Sequence, residues 1–265
     1  MEGRAQEARR PSWELASVRN AARLLKEFSR TDRELGVSEL ARRLGLATST
    51  VHRLLATLTA ERLLERGRAP GSYRLGLALY DLGASVGPNL DLHEAAMPVM
   101  ATLRQSTGET VQLAVLDGLE SVYIDRLESP HTVRIFARVG TRLPATTTST
   151  GKVLLAALAP DELELRLRQW TPQRHTPFSI VDPGTLRARL REIAERGWAD
   201  NREESRVGVV SVGAPVHDAS GLVIAAISVA APTDRAGPAQ LRRVRAGVVE
   251  SAAVISRRLG HAAPG

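Results

Sequence analysis

The chain has 265 residues, 43% of them hydrophobic and 25% charged, with a formal net charge of +7. Its length exceeds the roughly 100–200 residues of a usual single domain, so two domains are expected, and no apolar run approaches the ~20 residues of a membrane span. The absence of cysteine excludes disulfides, thiol catalysis and cysteine-ligated zinc. The alternating charges of the first residues lack the apolar core of a secretory signal, so a cytoplasmic protein without a membrane partner is expected.

The charge is unevenly spread. Residues 1–76 hold 15 Arg/Lys against 9 Asp/Glu, whereas the remainder is nearly balanced at 21 against 20. Either the first third meets a polyanion, or arginine is simply favoured throughout a chain whose only lysines are Lys26 and Lys152.

In chain order, SVRNAARLLKEFS (17–29) predicts a first helix capped by Ser17, with Val18, Ala21, Ala22, Leu25 and Phe28 on its apolar side. VSELARRLG predicts a short second helix, capped by Ser38 and stopped by Gly45. A third begins three residues later, with Thr48 or Ser49 as cap and Val51, Leu54, Leu55 and Leu58 at i, i+3, i+4 and i+7. Two helices joined so tightly at a glycine are a helix-turn-helix signal, though many helical hairpins share it. The following LLERGRAPGSYRLG sharpens it, because it predicts strands at 63–66 and 72–75 around a Gly/Pro turn, an arginine-bearing wing.

A linker helix is expected from Leu77, ended by Pro88. Beyond it the pattern predicts a helix at 92–107 from Asp91 and two strands turning at Asp117-Gly118. A third strand, TVRIFARVG, should follow, then a helix GKVLLAALA stopping at Pro160 and helices near 161–169 and 183–196. Strands near 207–217 and 222–231 turn at Asp218-Ala-Ser-Gly221, and a final helix spans about 238–259. The order implies an α+β fold.

These stretches resemble the IclR family of bacterial regulators along almost the whole chain. The likeness is carried by SVRNAARLLKEF, LGVSELARRLGLATSTVHRLLATL and YRLGLALYDLG in the first part. In the second it is carried by ETVQLAVLDG, VYIDRLES, RVGTRLPATTTSTGKVLLA, ERGWADNREES, VGAPVHDASGLVIAAISVAAP and SRRLG. The resemblance implies a winged helix-turn-helix domain at 14–76, a linker helix at 77–90 and a GAF-like effector-binding and oligomerisation domain with a mainly antiparallel sheet at 91–260. It also implies homodimers or homotetramers on double-stranded operator DNA and a small-molecule effector; no cofactor and no catalysis are expected.

For DNA, Ser38, Thr48, Ser49 and Thr50 are the expected hydroxyl contacts, since small hydroxyls at a helix start approach phosphates closely. Arg53 suits either a guanine edge or a phosphate, His52 either a base or plain surface, and Arg66, Arg68 and Arg74 either backbone, minor groove or solvent. In the second domain, the hydroxyl run before Gly151 suits either an anion or ordinary helix capping. It is no P-loop, because the earlier glycine is missing and Val153 replaces the expected Ser or Thr. The resemblance places the effector pocket at Leu143, Ser149, Thr150, Gly151, Asn201, Ser211 and Ser228. Ser211 stands where many members have cysteine and Asn201 where aspartate is frequent; more hydroxyls and one fewer negative charge favour a polar, anionic ligand.

A rival enzyme reading would use Glu203 and Glu204 with His217 or Asp200. Adjacent residues on a strand point to opposite faces, so the two glutamates do not converge there. The six histidines show no metal-ligand spacing, and no metal is expected. A third reading makes the second domain a dimerisation module without a ligand.

Overall fold

The computed structural model describes residues 15–28, 34–84, 89–132 and 138–262, with backbone alone at Ala84, Asn89 and Leu90. The chain divides into two compact units between residues 87 and 88.

The first unit contains α1 (Ala16–Phe28), β1 (Leu35–Gly36), α2 (Val37–Leu44), α3 (Thr48–Ala60), β2 (Leu64–Arg66), β3 (Ser72–Leu75) and α4 (Ala78–Ala84). Val51, Leu55 and Leu58 recur every three or four residues along α3, so they share one face and are buried. They pack against Leu24 and Phe28 of α1, Leu40 and Leu44 of α2, and Leu64 and Tyr73 of the small sheet. Each such leucine contributes about 1.5–3 kcal/mol by leaving water. On α1 the buried anchors are Leu24 and Phe28, whereas Val18 is 62% exposed and Ala22 is also exposed. The apolar row expected through Val18 and Ala22 is therefore not the core face.

Gly45 closes α2 at φ +66, a left-handed conformation that costs glycine little, and Ala47 then opens α3. The turn is as short as expected, but the caps differ. Gly36 and Ala47 occupy the two cap positions without side-chain bonds, which puts Ser38 and Thr48 inside the first turns. α1 likewise starts at Ala16, so Ser17 lies within it. The wing strands pair antiparallel with Leu64 opposite Leu75, and β1, too short to show a pattern in sequence, adds a third strand through Leu35 opposite Tyr73.

The second unit contains α5 (Asn89–Thr107), β4 (Thr110–Asp117), β5 (Glu120–Leu127), β6 (Arg142–Pro144), α6 (Ser149–Ala156), α7 (Pro160–Leu167), α8 (Pro183–Arg196), β7 (Ala199–Arg202), β8 (Val209–His217), β9 (Val223–Pro232) and α9 (Pro238–Arg258). Its strands form one antiparallel sheet in the order β6-β5-β4-β9-β8-β7. Period-two alternation sends Ala225, Ile227 and Val229 to one face, against α5 and α9, and Ala226 to the other, against α6 and α8. At the β4–β5 pair the register slips, so that Leu113 faces Asp125 but Ala114 faces Tyr123. Ile124 is the extra residue, and the bulge turns Tyr123 and Asp125 to opposite faces.

Several boundaries shift. The β4–β5 turn is Gly118-Leu119, one residue later than read, with Gly118 at φ +61. Pro160 opens α7 at its first position rather than ending a helix that α6 has left at Ala156. α5 begins at Asn89, so Asp91 lies in its first turn and does not cap it. Strands β6 and β7 were not expected, being only three and four residues long. Most of the expected strand TVRIFARVG, and the linker stretch 85–88 with Pro88, lie outside the described residues.

α6 lies hard against the sheet and its approach. A Cβ on Gly151 would lie 2.3 Å from both Cα and the carbonyl oxygen of Ala145, and one on Gly213 would lie 3.1 Å from the Ser149 carbonyl carbon. Gly151→Ala must therefore push backbone apart. A loss of roughly 1–3 kcal/mol is expected from this overpacking, read as a lower denaturation midpoint; an unchanged midpoint would mean that α6 gives way freely.

Candidate functional sites

In the first unit, α3 turns Val51, Leu55 and Leu58 inward, which leaves Thr48, Ser49, Thr50, His52 and Arg53 exposed. With about 100° of turn per residue, Ser49 and Arg53 lie on the side opposite the buried row. Arg53 also borders a shallow concavity with Thr50, Thr57 and, from α1, Ser17 and Asn20. Ser38 is exposed on α2.

The wing arginines are not equivalent. Arg74 is directly opposite Glu65 and pairs with it, Nη2 to Oε2 at 2.9 Å. The Arg66 guanidinium lies 4.5 Å above the centre of the Tyr73 ring, a cation–π contact. Arg68, at the wing tip, is exposed, and its backbone is held from outside the hairpin. Glu34 accepts from the amides of Arg68 (2.9 Å) and Ala69 (3.3 Å) and from the Ser72 hydroxyl (2.9 Å). The Arg68 amide foremost, then the Ser72 hydroxyl and the Ala69 amide, hold the Glu34 carboxyl below its ordinary range. Nothing in the sequence marks Glu34, since the contact spans 34 residues.

In the second unit a cavity of about 190 Å³ lies on the α6 face of the sheet. Gln112, Tyr123, Val209, Ser211 and Ala230 line it from the strands, Leu143 from β6, Thr148 from the head of α6, and Asn201, Ser205 and Arg206 from β7 and the segment after it. Arg206 is the one charged side chain among these lining residues. Burial pushes the Tyr123 phenol up, opposed by a hydrogen bond with Thr150, so it meets the cavity as a neutral hydroxyl.

Of the residues expected here, the structure brings Leu143, Asn201 and Ser211 to the cavity. Ser149, Thr150, Gly151 and Ser228 are buried just behind it. Ser149 shares a hydrogen bond with Ser211 at 2.7 Å and Thr150 with Ser121 at 3.1 Å, while Ser228 pairs with Gly213 and Gln112 across the sheet. The Gly151 amide is taken by the Thr148 side chain at 3.0 Å, which is helix capping. Sequence reasoning missed Gln112, Tyr123, Thr141, Ser205 and Arg206 as lining, and it reached Thr148 only as part of the hydroxyl run before Gly151. For Gln112 a signal existed, a polar residue inside the otherwise apolar strand TVQLAVLD.

The acid–base constellation of the enzyme reading is not assembled. Glu204 turns inward to Lys152, Nζ to Oε1 at 2.5 Å, and Glu203 accepts from the Gly208 amide at 2.7 Å. Burial works to raise the Asp200 carboxyl, but Arg189, the hydrogen bond from Arg202, Lys152 and Arg196 outweigh it and hold the group low. His217 stacks on His261, centroids 4.9 Å apart. Among the described residues no group of three His, Cys, Asp or Glu is placed to hold a metal, and no helix is long and apolar enough to cross a membrane.

A tight two-helix turn with an exposed third-helix start, a three-stranded wing, and a separate α+β unit holding a half-open cavity with polar side chains in its wall define a winged helix-turn-helix regulator with an effector-binding domain. Residues 17–68 match the IclR helix-turn-helix domain, and residues 84–257 match the bacterial transcriptional regulator IclR C-terminal domain. The transcriptional regulator XynR of Escherichia coli is 33% identical over 94% of this chain and 99% of its own. An IclR homologue from Microbacterium hydrocarbonoxydans, solved with 4-hydroxybenzoate, is 30% identical, with a TM-score of 0.81 over 92% of this chain and 99% of that one. The IclR of Thermotoga maritima superposes with a TM-score of 0.75 at 27% identity, over 94% of this chain and all of that one, 100%. The chain belongs to the IclR family of bacterial transcriptional regulators.

Because Glu34 has a lowered folded-state pKa, its contribution is complete above the ordinary carboxylate range and is lost as the pH falls through the folded value. Glu34→Gln is therefore expected to melt below the parent at neutral pH, with the gap closing as the pH falls below the ordinary carboxylate range. Thermal melts across that range test this, and a gap independent of pH would rule out the charged tether.

Proposed function

We propose that the first unit binds palindromic operator DNA through α3 and the wing, and that the second reports a small carboxylate held in the cavity. The observation that carries the reading is the joint presence of an exposed hydroxyl-and-arginine helix start and a half-open, largely apolar cavity with polar side chains and a single guanidinium at its wall. Thr48, Ser49 and Thr50, with Ser38 on α2, fix the helix on phosphates, while Arg53 and His52 reach base edges. In the wing Arg68 makes the leading contact, because Arg74 is shared with Glu65 and Arg66 with Tyr73.

In the cavity, Arg206 takes the carboxylate, and Gln112, Tyr123, Asn201 and Ser211 meet the rest of the ligand. Leu143 covers it, and Ser149, Thr150, Gly151 and Ser228 shape the wall behind. The small volume suits a compact acid, and the 4-hydroxybenzoate held by the Microbacterium relative is of that kind. Effector binding favours one arrangement of the paired subunits and so changes the spacing of two recognition helices in a homodimer or homotetramer. The linker region carries the change between domains. The protein acts in the cytoplasm and consumes no substrate: Glu204 and Asp200, the carboxylates an enzyme would need, are engaged by cations.

The test is binding to the intergenic DNA beside the protein's own gene, at physiological salt with excess competitor. Arg53→Ala should weaken selective binding by about 1–3 kcal/mol, roughly fivefold to 150-fold. Binding that is equal on all sequences and indifferent to Arg53→Ala overturns the recognition-helix assignment. On the effector side, a compact aromatic or aliphatic carboxylate at about a hundred times its dissociation constant should add about 2.7 kcal/mol of stability. Thermal melts with and without Arg206→Ala read this; a ligand shift that survives the substitution removes Arg206 from the site.

A further inference from the structure

Lys152 is the largest wholly buried side chain of the molecule among the described residues, with 0% exposure, and it lies on α6 just behind the cavity. Its ammonium meets one oxygen of Glu204 at 2.5 Å, while the other, Oε2, is buried without a hydrogen-bond partner among the described residues. Burial foremost, with the nearby Arg189 cation, pulls the Lys152 ammonium down from the ordinary lysine range, and the Glu204 and Asp200 carboxylates oppose this. Such a pair is a poor source of stability. Well-packed apolar residues of the same volume usually serve a core as well or better, whereas removal of one partner strands the other charge.

The contacts around Glu204 show what the pair does instead. The Glu204 amide donates to the Asn201 side chain at 2.8 Å, and Asn201 in turn donates to the Ser205 hydroxyl at 3.2 Å. Thr176 and Ser179 donate to the carbonyls of Glu203 and Glu204, each at 2.7 Å. Glu203 adopts φ +62, a conformation that side chains other than glycine adopt at a cost. Asn201, Ser205 and Arg206 are cavity wall. The segment that supplies this wall is thus bent against its preference and fastened to α6 through one ionic contact.

We propose that Lys152 and Glu204 are positioning residues for the effector pocket: their ion pair pins residues 203–206 to α6 and sets where Ser205 and Arg206 face the ligand. This rests on the reading of the cavity as the effector site. The pair touches no ligand and acts through its neighbours.

A cysteine-free chain permits a test that needs no ligand. Ser205→Cys introduces a single thiol in the wall, and its labelling by sulfonatoethyl methanethiosulfonate reads how firmly the segment is held. In the full chain, the double change Lys152→Met with Glu204→Leu removes both charges together. The expected result is a melting temperature near that of the Ser205→Cys parent with labelling faster by on the order of tenfold, from local opening. Restored stability together with parental labelling overturns the proposal, since the pair would then only fill the core. Should the double variant fail to fold, Glu204→Gln keeps a hydrogen-bonding side chain and drops the charge. The stranded Lys152 charge lowers the melting temperature of that variant, so labelling is read well below it; faster labelling there supports the positioning role, and parental labelling overturns it. If the cavity binds no effector, ligand melts fail while this labelling result stands, so the two failures are separable.

Discussion

The effector-binding half of this protein depends on how closely α6 approaches the sheet. Gly151 lets its first turn rest against the Ala145 backbone, and Gly213 lets β8 pass beneath Ser149. That contact brings the hydroxyls of Ser149 and Thr150 within hydrogen-bond reach of Ser211 and Ser121. Buried hydroxyls without such partners would be costly, so the close approach and the polar run are mutually required. It also closes one side of the cavity with Thr148 and places Lys152 deep enough to meet Glu204.

A second constraint governs the polarity of the cavity. One face of the sheet is given mainly to apolar packing with α5 and α9, through residues such as Val111, Leu113, Ile227 and Val229. The other is mixed, with Gln112, Tyr123, Ser211 and Ser228 between smaller apolar residues. The bulge at Ile124 allows both, sending Tyr123 to the cavity while Asp125 meets His93 of α5 at 2.7 Å. A continuous alternation would have put both residues on one face.

The DNA-binding half has a different economy. Its core is small, and the exposed face of α3 is free because Val51, Leu55 and Leu58, with the half-buried Leu54 beside them, anchor the helix from the other side. The wing has no core of its own and is instead tied by Glu34 from a distant segment. Charge there is partly neutralised within the hairpin, which directs attention to Arg68 rather than to the count of arginines.

Much of this was legible in the amino-acid sequence. Periodicity marked α3, α8 and the paired strands β8 and β9, because the buried face of each repeats at the period of its own backbone. Gly45 and Gly118 marked turns because few other residues take a positive φ cheaply. The family resemblance pointed to a two-domain organisation and named Leu143, Asn201 and Ser211, which line the cavity. Caps and short strands were less legible: an exposed alanine or glycine can precede a helix when tertiary packing supplies the stability, and a strand as short as β1 or β6 has too few residues to display alternation. Only the tertiary structure decided that Ser149 and Thr150 stand behind the cavity wall, that Arg206 belongs to it, and that Lys152, Glu204 and Glu34 are structural ties. The reason is distance along the chain: each of these contacts joins segments dozens of residues apart, and local propensity and spacing carry no information about which distant partner a side chain will meet.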